Sequence, residues 1–269
     1  MRLAFLSYSQ QARAERWRSG GASAITVVLT VLKWPLAILA VLTLPALAVS
    51  LIEVLVALWE GEVWRSAFGI GLAAGLVLWV TLKETRFVSF WSTMEHELTH
   101  ALFAWLTLNT VLELRTSDGT LLHDPRQDDE TARGSVGHIL SDGSSWLVLA
   151  SPYFFPTFAW GVWLAILALA EQPTWLAKAV LGAALVANVG SSYRETHVEQ
   201  SDIQAIGKTF ALLFLPAANL FFYGLLFAYE AGGSQLALDF AASPFSKTYA
   251  WIVEGALAAL ATGPSVLGP

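Results

Sequence analysis

Residues 87–108 read FVSFWSTMEHELTHALFAWLTL, an apolar run that contains an HExxH motif at His96, Glu97 and His100. A helix of about 20 apolar residues crosses the hydrocarbon core of a bilayer, so this run is predicted to be a transmembrane helix. Residues four apart lie on one face of a helix, and the two imidazoles can therefore bind one zinc ion. Ionisable side chains at membrane depth are costly and usually mark function. The motif predicts a zinc site within the membrane; the alternative is two histidines that are only hydrogen-bonded inside a helix bundle.

The composition of the whole chain is typical of an integral membrane protein. Of its 269 residues, 55% are hydrophobic and 13% are charged, and the mean hydropathy is +0.57. A soluble domain carries about twice that charged fraction. The twelve tryptophans fit a protein with two water–lipid interfaces. We therefore expect a multi-pass protein embedded in a lipid bilayer, and we place it in a bacterial inner membrane.

The composition also excludes or disfavours other classes of site and partner. The chain contains no cysteine, so disulfides are excluded and any zinc ion must be bound by His, Asp or Glu. The net charge is −6, and no basic patch is interleaved with aromatic residues. Both features argue against a nucleic-acid partner.

The hydrophobic pattern predicts an all-α polytopic membrane protein with about six transmembrane helices. Pro35 and Pro45 are expected to interrupt the long apolar stretch 24–59 and to separate an interfacial helix from the first span. The expected spans start at about residue 36 and then cover 67–82, 87–108, 146–170, 175–189 and 203–229. The expected divisions are a basic N-terminal segment at 1–22, a membrane-embedded domain at 23–231, and a C-terminal tail at 232–269 with an interfacial helix at 249–261.

A single sizeable water-exposed segment, residues 110–145, is expected between the third and fourth spans. Alternation at 111–116, followed by the turn residues Ser117-Asp118-Gly119, predicts a small β-hairpin that pairs back with 134–140. An exposed strand edge there could bind an extended substrate. An ordinary solvated loop is the alternative.

Charge distribution predicts the orientation of the spans. The basic N-terminus and the basic turn at 83–86 favour the cytoplasm under the positive-inside rule. Strict alternation of spans then places both the acidic 110–145 loop and the polar stretch 190–204 on the opposite side.

A zinc site needs a third protein ligand, which the motif itself does not supply. Asp202 lies where an apolar helix is predicted to begin, and it is the first candidate. His197 and Glu199 are the alternatives, since imidazole and carboxylate both suit zinc. A further alternative is that Ser201 and Asp202 only cap the following helix.

Other polar residues in the apolar segments are expected to have structural roles. Glu95 lies about 100° around the helix from His96, so we expect it to be an interhelical hydrogen-bond partner. Ser92, Thr93 and Thr99 are expected to pack and hydrogen-bond on the same helix. Glu53 is expected to be structural or to be paired with a basic group.

On these residues the chain resembles the site-2 protease family of intramembrane zinc metalloproteases. The resemblance rests on His96, Glu97 and His100 within a span and on Asp202 about a hundred residues later at a helix start. It implies zinc bound by the two histidines and Asp202, Glu97 as the general base, and hydrolysis of a peptide bond in or near the membrane. In that family the aspartate usually precedes glycine, whereas Ile203 follows it here.

The expected function is therefore that of an intramembrane zinc metalloendopeptidase with a metalloprotease-like domain at 23–231. Its partners would be a membrane-protein substrate, the lipid bilayer and a regulatory membrane protein. One alternative is a catalytically silent scaffold or complex subunit that retains the zinc site. A second is a zinc or proton transporter, although the chain lacks the internal repeat that many transporters show.

Overall fold

A computed structural model describes residues 8–108, 145–169, 174–196 and 200–261, with side chains from residue 24 to 259 of these. Helices account for 92% of the described residues, and none of those residues is in a β-strand. The prediction of an all-α protein is thus confirmed for this part of the chain. The predicted β-hairpin within 110–145 lies outside the described residues.

Eight α-helices and two 3₁₀ turns make up the described chain. The helices are α1 (Tyr8–Glu60), α2 (Ala67–Leu82), α3 (Arg86–Leu106), α4 (Trp146–Ala150), α5 (Thr157–Leu169), α6 (Trp175–Glu195), α7 (Ser201–Ile206) and α8 (Lys208–Ala261). The 3₁₀ turns are Val63–Arg65 and Ser151–Tyr153. The predicted spans 67–82, 87–108 and 175–189 correspond to α2, α3 and most of α6.

The helices are those of a membrane protein. Three of them are long and apolar enough to cross a bilayer: Ala24–Glu60, Trp175–Glu195 and Lys208–Ala259. Two bent pairs raise the number of candidate spans to five if each pair counts as one: α2 with α3, bent by 116°, and α4–α5, bent by 84°. Aliphatic side chains such as Val31 and Leu212 are exposed on the outer surface, as expected for contact with lipid. The described residues thus hold three to five candidate spans, against the six expected.

α1 is one helix of 53 residues that continues through Pro35 and Pro45. The expected interruption of this segment is therefore wrong. Ala40, Leu47 and Val54 lie seven residues apart on one face and pack in a cluster with side chains of α8. Packing along this face holds the helix together at both prolines, which membrane proteins tolerate where neighbouring helices support the backbone.

α2 and α6 run side by side in the same direction. Gly71 packs directly against the backbone of Ala179, and further along the same pair Arg194 Nη1 donates to the carbonyl of Lys83 at 2.8 Å. The basic turn after α2 therefore lies at the same end of the bundle as the end of α6, where the polar stretch begins. The expectation that these two segments lie on opposite sides is wrong, because the bent pairs between them do not alternate as simple spans.

The predicted span 203–229 is divided into two helices, and the second continues beyond its expected end. Gly207, with φ 89°, separates α7 from α8. α8 breaks again at Gly232 and Gly233, where the expected C-terminal tail starts, and Gly233 has a φ of 70°. Phe240, which follows the break, packs against the Cα of Gly224 before it. The chain therefore bends back at the two glycines, and the first part of the predicted tail joins the membrane-embedded domain.

The glycine contact between α2 and α6 gives a test of this packing. A Cβ at Gly71 would collide with the Ala179 backbone, so Gly71→Ala should lower the free energy of unfolding by about 1–3 kcal/mol. Gly161→Ala is the matched control, because a Cβ there meets open space and alanine favours the helix by up to about 1 kcal/mol. Unfolding followed by tryptophan fluorescence in detergent measures both. Equal stability of the two variants would contradict the α2–α6 contact.

Candidate metal centre

α3 presents the HExxH motif on a buried face in the middle of the helix. The helix starts after Thr85, whose side chain accepts a hydrogen bond from the Val88 N–H. From that start, His96 and His100 are one turn apart, and both are 6% exposed. Glu97, next to His96, is 3% exposed. The three motif residues therefore lie inside the bundle, as predicted from the sequence.

Three ligand atoms converge between α3 and α7. His96 Nε2 lies 3.1 Å from His100 Nε2, and Asp202 Oδ2 lies 3.4 Å from the former and 3.1 Å from the latter. Two donors that are each about 2.0–2.1 Å from one tetrahedral ion lie about 3.3 Å apart. The observed separations match that spacing, so the cluster can hold a metal ion. Three protein ligands leave a fourth tetrahedral position free.

A backbone carbonyl determines which nitrogen of His100 faces the cluster. His100 Nδ1 lies 2.8 Å from the carbonyl oxygen of Val148 and donates to it. In the neutral imidazole, Nε2 is then an acceptor that faces the Asp202 carboxylate, also an acceptor. Such an arrangement needs a cation between the two atoms, either an additional proton or a metal ion. A carbonyl that orients a ligating histidine through its second nitrogen is the usual support of a metal site.

α7 carries Asp202 in its first turn. The residue before the helix is Gln200, and no side chain there makes a capping hydrogen bond. The capping alternative is therefore wrong for Asp202, whose Oδ2 instead lies 3.1–3.4 Å from the histidine nitrogens. The alternative ligands His197 and Glu199 lie outside the described residues.

Tyr153 is a further side chain at the cluster. Its hydroxyl donates to Asp202 Oδ2 at 3.4 Å, and its ring meets that of His96 edge-on with centroids 5.4 Å apart. It lies at the sharp bend between α4 and α5, within Ser151-Pro152-Tyr153-Phe154-Phe155-Pro156. Nothing in the sequence indicated its contact with Asp202.

A chain of hydrogen bonds on the next face of α3 sets the rotation of that helix. Glu95 accepts from Asn188 Nδ2 at 2.8 Å and from Ser191 Oγ at 2.7 Å. Asn188 Oδ1 in turn accepts the N–H of Ala159 at 2.8 Å, in the first turn of α5. The expected interhelical role of Glu95 is confirmed. Because these contacts with α5 and α6 set the rotation of α3, the next residue, His96, faces α7.

The remaining small polar residues of α3 extend this network. Ser92 Oγ donates to Glu195 at 3.0 Å, and Thr99 Oγ1 lies 2.6 Å from the hydroxyl of Thr157. The expected hydrogen-bonding roles of Ser92 and Thr99 are confirmed, and Thr93 is buried as expected. Sequence inspection missed Asn188 as a structural residue, although a lone amide within an apolar helix is a signal for such a role.

Glu53 does not belong to the cluster of His96, His100 and Asp202. It is paired with Lys247, whose Nζ lies 2.5 Å from Oε2, and the same Nζ donates to Ser50 Oγ at 3.1 Å. The expected basic partner of Glu53 is thus confirmed. This contact links α1 to the part of α8 that follows the two glycines.

Comparison of the chain with models of protein families, with curated proteins and with solved structures found no match. The structure itself defines an α-helical membrane protein with a cluster of two buried histidines and a partly buried aspartate that could hold a metal ion.

The Glu95 network can be tested by comparing two substitutions. Asn188→Leu leaves the Glu95 carboxylate and the Ala159 N–H without this partner, and we expect a loss of about 1–3 kcal/mol in the free energy of unfolding. Glu95→Gln should be close to wild type, because its amide can accept from Asn188 and donate to Ser191. Denaturant unfolding in micelles measures both. A loss in Glu95→Gln as large as that in Asn188→Leu would mean that the charge, not the bonding pattern, matters.

Proposed function

We infer that this chain is an intramembrane zinc metallopeptidase that hydrolyses a peptide bond of a membrane-protein substrate. The observation that carries the proposal is the spacing of His96 Nε2, His100 Nε2 and Asp202 Oδ2, at 3.1–3.4 Å, with Glu97 buried next to His96. Two imidazoles and one carboxylate are a zinc-binding set, and the chain offers no cysteine for another. Glutamate within HExxH on a helix is the general base of metalloproteases.

The roles of the residues follow from the chemistry of amide hydrolysis. When bound, zinc polarises the scissile carbonyl and lowers the pKa of water. Glu97 accepts a proton from the attacking water as the new C–O bond forms, and delivers that proton to the amine nitrogen as the C–N bond breaks. His96, His100 and Asp202 hold the ion, and the Val148 carbonyl keeps His100 in the required tautomer.

Access of water to this site is expected from the side of α7. The Asp202 side chain is 20% exposed, whereas the side chains of His96 and His100 are 7% and 8% exposed. Apolar helices surround the other sides, so the site excludes most water but is not sealed. A substrate helix must be unwound there, because its peptide carbonyls are otherwise occupied in its own hydrogen bonds. We place the enzyme and its substrate in the same bilayer, a bacterial inner membrane.

Zinc content tests the ligand set. Purified wild-type protein should contain about one zinc per chain, and His96→Ala and Asp202→Ala should each lose most of it, because a site with two protein ligands binds far more weakly. Elemental analysis in detergent measures the content, with Glu97→Gln as the control that keeps its zinc. Zinc retained by Asp202→Ala would move the third ligand to His197, Glu199 or elsewhere. A wild-type protein that takes up no zinc would contradict the proposal.

Catalysis is tested through the general base. Glu97→Gln keeps the shape of the side chain but cannot accept the proton, and we expect cleavage to fall about 10²–10⁴-fold with zinc content unchanged. Wild-type and variant proteins are reconstituted with an extract of membrane proteins, and new peptide termini are identified by mass spectrometry. A chelator added to the wild type provides the second control. Equal cleavage by both proteins, or none by a zinc-loaded wild type, would favour the catalytically silent scaffold.

A further inference from the structure

One turn of α1 contacts both of the segments that support the cluster of His96, His100 and Asp202. Leu29 and Lys33 are four residues apart and so lie on one face of that helix. The Leu29 carbonyl accepts the indole N–H of Trp146 at 2.6 Å. Lys33 Nζ donates to the carbonyl of Ile206 at 2.7 Å. These two bonds join α1 to α4 and to α7, which are far from it in sequence.

The first of these bonds leads to His100. Trp146 is the first residue of α4, and the indole bond therefore ties the start of that short helix to α1. Two residues further on, the Val148 carbonyl accepts the Nδ1 hydrogen of His100. The position of the carbonyl that orients His100 thus depends on where α4 is held.

The second bond leads to Asp202. Ile206 is the last residue of α7, a helix of six residues with Asp202 in its first turn. Helices this short are not stable on their own and need outside contacts to keep their place. A lysine at the carbonyl end of a helix provides such a contact, both as a hydrogen bond and through the helix dipole.

An aromatic ring connects the two bonds. Lys33 Nζ lies 5.0 Å from the centroid of the Phe210 ring, and the Trp146 ring lies 4.9 Å from the same ring, centroid to centroid. Phe210 is 1% exposed and belongs to the core cluster that contains Ile203 and Ile206 of α7. The lysine and the tryptophan are therefore both held against one buried ring, that of Phe210.

We propose that Lys33 and Trp146 are positioning residues of the metal centre, through which the turn Leu29–Lys33 of α1 sets the geometry of Asp202 and His100. The inference rests on the proposed metal centre. It adds positioning contacts from α1, a helix that supplies no ligand. Substitutions that affect orientation of a ligand typically weaken metal binding about 10–100-fold.

The experiment measures metal binding by the full-length protein. Zn²⁺ affinity is determined by competition with a chelator, and Co²⁺ is added to report ligand geometry through its visible absorption. Lys33→Met removes the donor to Ile206 and should weaken Zn²⁺ binding about tenfold and change the Co²⁺ spectrum. Lys33→Arg keeps a donor and should restore both. Trp146→Phe keeps a ring against Phe210 but loses the N–H, and its Zn²⁺ affinity should fall as well.

Lys247→Met is the matched control for Lys33→Met. Lys247 belongs to α8 and, like Lys33, joins two helices, since its Nζ donates to Ser50 and Glu53 of α1. These bonds do not involve α7. Its Zn²⁺ affinity should equal that of the wild type. Wild-type affinity and spectrum in Lys33→Met, or an equal loss in Lys247→Met, would overturn the positioning role while leaving the metal centre intact. A wild-type protein without Zn²⁺ or Co²⁺ binding would overturn both.

Discussion

Polar atoms inside an apolar helix bundle have little water to bind, so burying them favours hydrogen bonds within the protein, many of them to a neighbouring helix. α3 carries four such residues close together, and all of them are buried: Glu95, His96, Glu97 and His100. Glu95 accepts hydrogen bonds from α6, and the histidines contact Asp202 of α7. His100 also donates to the Val148 carbonyl of α4. These bonds join α3 to α4, α6 and α7.

The two sets of bonds on α3 have different consequences. Those of Glu95 with Asn188 and Ser191 pair a carboxylate with donors that match it, and they are complete within the protein. Those among His96, His100 and Asp202 bring three candidate ligand atoms to within 3.4 Å, and two acceptors, His100 Nε2 and Asp202 Oδ2, face each other there. A complete network next to an incomplete one is the pattern expected of a rigid support beside a binding site.

Much of the helical structure could be predicted because it depends on short stretches of sequence. Apolar runs and the turn residues between them located α2, α3 and α6. The errors concerned relations between distant segments. Pro35 and Pro45 do not break α1, because packing on α8 supports it. α2 and α6 run in the same direction, because the bent pairs between them do not alternate as simple spans.

By itself the sequence determined that His96 and His100 lie on one helix face with Glu97 beside them, since that depends only on a spacing of four residues. It also determined that a zinc ligand must be His, Asp or Glu, since cysteine is absent. Only the tertiary structure brings Asp202 within 3.4 Å of both histidines, and Val148 and Tyr153 into contact with that cluster. These contacts join residues far apart in the chain, and only the packing of the helices brings them together.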